Sequence, residues 1–92
     1  MIVLINKYKD METKVNFRVT KDGEVVAVFM GVQRNNKYLC FSLYYGMHFD
    51  ADKIYLKECK PTRGYNMKEL CAYLYNRGYT NIRVYDRMVY DK

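Results

Sequence analysis

The stretch "KVNFRVTKDGEVVAVFM", residues 14–30, decides how this chain folds. Val15, Phe17 and Val19 alternate with Lys14, Asn16, Arg18 and Thr20, the period-two pattern of a strand with one apolar and one polar face. Asp22-Gly23 then offers the positive φ angles of a two-residue hairpin turn. "VVAVFM" (25–30) is β-rich and apolar on both faces, as a strand buried from two sides must be. A hairpin of one half-polar and one apolar strand starts an antiparallel sheet.

Working outward, "GVQRNNK" (31–37) reads as the next turn, because Asn35 and Asn36 tolerate left-handed geometry. "YLCFSLYY" (38–45) is a third strand, with Leu39, Phe41 and Leu43 on one face and Tyr38, Cys40, Ser42 and Tyr44 on the other; Gly46 ends it. Asp50 or Asp52 can cap a short helix running toward Cys59, with Ala51, Ile54, Tyr55 and Cys59 as its stripe. Pro61 breaks whatever precedes it. A longer helix starts at Asn66, with Glu69 at the capping-box spacing. Met67, Leu70, Cys71 and Leu74 form its apolar face, and Gly78 stands where a left-handed residue closes a helix. After it, Ile82 and Val84 alternate with Asn81, Arg83 and Tyr85 in a last strand.

The expected fold is α+β: a mainly antiparallel four-stranded sheet in the order β-β-β-(short α)-α-β, with one main helix packed on one face. Ninety-two residues suit one domain, with residues 1–12 a tail or an edge strand. A chain this short leaves roughly a third or more of its unfolded-state surface exposed, which disfavours a deeply enclosed catalytic cavity. "MIVLIN" is too short an apolar run for a secretory signal or a membrane span, and three irregularly spaced cysteines do not suggest a disulfide framework. The expected location is cytoplasmic, with no membrane association.

The net charge of +6 is unevenly spread. Between Val32 and Lys68, Arg34, Lys37, Lys53, Lys57, Lys60, Arg63 and Lys68 face only Asp50, Asp52 and Glu58. That balance permits binding to nucleic acid or to an acidic protein, and equally a well-solvated surface.

"YLCFSLYYGMHFDAD" (38–52) gathers reactive residue types. Cys40 and His48 form a nucleophile pair only if the turn at Gly46 brings the thiol beside the imidazole, and a lone strand cysteine is usually a packing residue. His48, Asp50 and Asp52 share one face if extended and suit a divalent ion, whereas the plainer reading makes an aspartate a helix cap. The spacings of Cys40, His48, Cys59 and Cys71 match no zinc pattern. No phosphate-cradling glycine loop, G-x-S-x-G or H-E-x-x-H occurs, so an enzyme is the least supported class and no cofactor is implied.

Eleven tyrosines remain to be placed. With one helix over one face, the other face would present Arg18, Tyr38, Ser42, Tyr44, Arg83 and Tyr85. Rings for stacking beside arginines for phosphate describe a single-strand nucleic-acid platform. The same residues suit a protein partner or a homodimer interface, and tyrosine is also common on plain sheet surfaces.

Three fragments, "KDGEVVAVF", "GMHFDAD" and "KPTRGYNMKELCAYLYNRGYTNIRVY", together resemble a group of small bacterial proteins of plasmids, phages and conjugative elements. The shared pattern falls on Lys21 to Phe29, on His48, Ala51 and Asp52, and on Gly78-Tyr79. The group has no established activity, so the resemblance implies a mobile-element setting and an accessory role. The function expected from the sequence is a small non-enzymatic binding module. A metal- or thiol-dependent enzyme centred on His48 and a structural homodimer are the alternatives.

Overall fold

The computed structural model describes residues 12–34 and 36–87. Within them run β1 (Thr13–Val19), β2 (Val25–Arg34), β3 (Lys37–Ser42), β4 (Met47–Ala51), α1 (Lys53–Glu58), β5 (Lys60–Pro61), α2 (Met67–Asn76) and β6 (Ile82–Val84). The class is α+β with a predominantly antiparallel sheet, as expected, but the sheet has six strands rather than four. Its order is β4-β3-β2-β1-β5, with β6 also against β1. The expected tail or edge strand at residues 1–12 falls almost wholly outside the described residues.

The first hairpin forms where the alternation places it, with Phe17 opposite Ala27 and Val19 opposite Val25. Its turn is longer by one residue than the Asp22-Gly23 reading. Gly23 N–H donates to Thr20 O (2.9 Å), Thr20 N–H donates to Glu24 O (2.8 Å), and of the loop residues only Gly23 has positive φ (86°). That is a type I turn closed by a left-handed glycine, a common three-residue hairpin loop. β2 bulges between Val28 and Gln33, where Gly31 takes φ 85°, and Asn36 takes φ 63° at the turn into β3.

Three elements depart from expectation. "MHFDA" is a strand, pairing its full length with β3 (Phe41 opposite His48, Cys40 opposite Phe49). β5 adds two residues beside Arg18 and Val19. β6 runs parallel to β1, Thr13 opposite Ile82, where a hairpin-built sheet would lead one to expect antiparallel pairing.

α2 follows its sequence signals. Asn66 caps it, its side chain accepting from Lys68 N (2.9 Å), and Leu70 and Leu74 are buried. At the far end Gly78 N–H donates to Tyr75 O and Tyr79 N–H to Leu74 O, with Gly78 at φ 98°. This paired closure is a Schellman motif, which requires the left-handed residue that glycine supplies without a Cβ penalty. α2 covers one sheet face, burying Val15, Phe17, Ala27, Phe29, Phe41 and Leu43 with Leu70 and Leu74.

The other face is not bare. α1 lies over it, and Leu56 joins Val26, Val28, Tyr38, Cys40 and Ala51 in a second buried cluster, with Phe49 packed beside it. Six residues are too few for an independently stable helix; α1 persists because Asp52 caps it (Tyr55 N to Oδ1, 2.8 Å) and Leu56 is fully buried. The expected stripe is rotated. Leu56 and Cys59 point inward, while Ile54 is 72% exposed and Tyr55 lies at the surface.

Candidate functional site

β1 has two neighbours along its outer edge. β6 pairs with Thr13 to Val15, and β5 pairs with Arg18 and Val19. β5 and β6 approach from opposite ends of β1, and between them Asn16 and Phe17 pair with neither, which leaves a notch. Tyr85, just past β6, closes one side of it: its N–H donates to Val15 O (2.8 Å) and its carbonyl accepts from Asn16 Nδ2 (2.7 Å). On the other side Arg18 Nη2 donates to Cys59 O (2.6 Å), tying β1 to the end of α1. Because the notch interrupts the sheet edge, residues from both faces reach it.

The resulting cleft has a volume of ≈ 610 Å³. Asn16, Phe17 and Arg18 form its interior; Pro61, Met67, Val84 and Tyr85 form its walls; Lys57, Arg63, Asp86 and Arg87 stand at its rim. Among the described residues the lining carries four cationic side chains and one carboxylate. Long-range repulsion among cations in one concavity is relieved by an anion, and a low-dielectric wall focuses that field. Two buried polar atoms of the interior, Asn16 Oδ1 and Arg18 Nε, have no hydrogen-bond partner among the described residues.

The residues expected to form an open face do not lie together. Tyr38 (1% exposed) and Ser42 (6%) are buried beneath the α1 side of the sheet, so Tyr38 is no contact residue. Tyr44 is 79% exposed, but it sits in the turn after β3, edge-on to Tyr45 (5.0 Å) and beside a different groove. Arg18 and Tyr85 both line the cleft. Arg83 is next to it, its guanidinium 5.3 Å from the Tyr85 ring and 3.6 Å from Glu12. Arg18, Arg83 and Tyr85 thus lie near one another at the sheet edge, not on a sheet face. Asn16, which the sequence does not single out, also lines the cleft. Its signal was its position, a carboxamide in mid-strand where asparagine is disfavoured unless something pairs with it.

The reactive residues of 38–52 are separated by strand parity. Cys40 pairs with Phe49 on the α1 face, and His48 pairs with Phe41 on the α2 face, so thiol and imidazole lie on opposite sides of the sheet. Burial also pushes the Cys40 thiol up to about 12, far from a thiolate at neutral pH. Burial raises the Cys59 thiol as well, against the opposing pull of Arg18. His48 is not loose in a turn: its Nε2 is 2.6 Å from the Tyr79 hydroxyl, and its ring lies 4.9 Å from that of Phe41. His48 and Asp50 share a face of β4, whereas Asp52 is occupied as the α1 cap. Among the described residues no three His, Cys, Asp or Glu side chains gather as a metal site would need.

Among the described residues no helix is long and apolar enough to cross a membrane. Set against known proteins, the chain matches no family model, no curated protein and no solved structure.

Proposed function

We propose that the protein is a non-enzymatic binding module for single-stranded nucleic acid, and that the cleft at the β1 edge is its contact surface. The observation that carries this is the lining: four cations against one carboxylate, with apolar walls and the Tyr85 ring between them. Cations track a phosphate backbone, and an aromatic ring in the same groove gives an unstacked base a face to lie on. A duplex keeps its bases stacked and offers no such ring to Tyr85. An accessory role on a mobile element, in a cytoplasmic setting, belongs to the same proposal; the role rests on the sequence resemblance and the setting on the irregular spacing of the three cysteines.

Fluorescence anisotropy with labelled single- and double-stranded oligonucleotides tests it. If three or four phosphates are neutralised, log Kd should change with log salt at a slope of magnitude about 2–3, taking roughly 0.7 per phosphate for single strands. Arg63→Ala and Arg87→Ala should each lower that slope by about 0.7. Absence of binding at low salt would remove the reading. A competing use of the tyrosines is self-association, since Tyr44, Tyr65 and Tyr73 stand exposed around a second groove beside α2. Sedimentation would reveal it as a mass that rises with protein concentration and hardly responds to salt.

A further inference from the structure

We infer that the groove between the first hairpin and α2 binds an organic cation of the quaternary ammonium class, held by tyrosine faces and two carboxylates. The groove shares no lining residue with the β1-edge cleft, and the inference does not rest on the nucleic-acid reading. Its volume is ≈ 510 Å³, within the range of roughly 300–1,000 Å³ usual for small-molecule sites. The floor lies wholly on the α2 side of the sheet: Leu43 and Leu70 belong to the core cluster there, and Val25 packs against it. Tyr65, just before α2, and Glu69 and Tyr73 on it recur at four-residue intervals and make one wall. Glu24 of the hairpin and Tyr44 after β3 make the other. All three rings are open to a ligand, Tyr44 being 79% exposed, Tyr65 43% and Tyr73 51%.

The charge of this groove opposes that of the chain. Among the described residues its lining holds Glu24 and Glu69 and no cation, in a protein of net charge +6. Lys21, the basic residue of the hairpin loop, is paired with Glu58 at the end of α1. Glu24 accepts from the Tyr45 hydroxyl, and Tyr45 meets Tyr44 edge-on at 5.0 Å, so contacts within the protein already hold the hairpin wall. The lining discriminates among cations. A metal ion needs several oxygen ligands, and among the described residues no three His, Cys, Asp or Glu side chains gather. A primary ammonium is strongly hydrated and brings three donors, which an apolar floor cannot answer. A quaternary ammonium has no donor to satisfy. Its methyl groups pack on Val25, Leu43 and Leu70, while ring faces and carboxylates attract its charge.

The test compares choline with its neutral carbon isostere, in which a tert-butyl group replaces trimethylammonium, by amide NMR titration of the full chain at low salt. One ring face is worth about 2- to 5-fold in affinity for a cation at an exposed site. Three rings therefore predict that choline binds about tenfold or more tightly than the isostere, with shifts at Tyr44, Tyr65, Glu69 and Tyr73. Tyr73→Leu keeps the apolar bulk and should weaken choline about 2- to 5-fold while leaving the isostere unchanged. Equal binding of choline and isostere, or no binding of either, overturns the inference. So does tighter binding of guanidinium than of choline, which would assign the groove to carboxylate pairing. Shifts at these amides that follow protein concentration and ignore choline would make the groove an interface between copies, and overturn it as well. Because the first comparison uses the protein without substitution, misfolding of a variant cannot decide it.

Discussion

Replacing Leu56 by alanine tests whether α1 covers the second sheet face. Leu56 is fully buried against Val26, Val28, Tyr38, Cys40 and Ala51, and it is the buried residue of α1. Truncating a buried leucine costs about 2–5 kcal/mol through lost transfer energy and the cavity left behind. The upper half of that range applies here, because a six-residue helix has no stability of its own to fall back on. Domains of this size have a total stability of about 5–14 kcal/mol, so the variant would lose a large share of it. A 4 kcal/mol loss, within that upper half, corresponds to a fall in Tm of roughly 16–32 °C. Ile54→Ala is the internal comparison. The sequence stripe places Ile54 inward, yet it is 72% exposed, so its truncation should change stability by no more than about 0.5 kcal/mol. Urea unfolding followed by circular dichroism measures both. Equal costs, or a larger cost at Ile54, would refute the packing of α1 and reopen the second face as a surface.

Other outcomes follow from single contacts. Asp52→Ala removes the α1 cap and should cost about 1 kcal/mol in the same unfolding assay. Gly78→Ala meets no atom within 4 Å, so its cost is purely conformational, about 1–2 kcal/mol for a left-handed alanine. The native Cys40 thiol should be the slowest of the three to react with a thiol reagent at mildly alkaline pH, and the half-buried Cys71 faster. The Cys40 thiol is raised in the folded state from 9.0 to about 12, so the unfolded chain releases its proton first as pH rises. Its contribution is therefore complete below about pH 9 and is lost progressively toward pH 12. Cys40→Ala should accordingly lose less stability than the unsubstituted protein across that interval.

What could be seen in the sequence was what local periodicity encodes. "KVNFRVT", "VVAVFM" and the Asn66-to-Gly78 helix each carry a repeated apolar spacing with a recognisable end, and each formed as read. β4 did not show itself, because an edge strand needs only one packed face and "MHFDA" supplies it with Phe49 and Ala51 alone. Its histidine and aspartates looked like a turn and a cap, and Asp52 is indeed the cap. α1 is too short for a stripe to fix its rotation, so Leu56 and Ile54 were exchanged in the reading. That exchange had consequences for the site. With no helix assigned to the second face, Tyr38 and Ser42 looked like surface, although a tyrosine body packs as readily inside. The cleft depends on β5 and β6 sharing one edge of β1, a pairing between residues more than forty positions apart that no local pattern records. Asn16 and Arg18 were legible as the polar face of a strand, but not as the interior of a cleft.

The measurement that bears most directly on the account is an amide ¹H–¹⁵N NMR titration with a short mixed-sequence single strand, at low and then high salt. Binding at the β1 edge predicts salt-sensitive shifts at Asn16 to Arg18, Thr62, Arg63 and Tyr85 to Arg87, with the amides around Tyr44 and Tyr73 unmoved. Shifts confined to Tyr44, Tyr65 and Tyr73, or none at low salt, would contradict it.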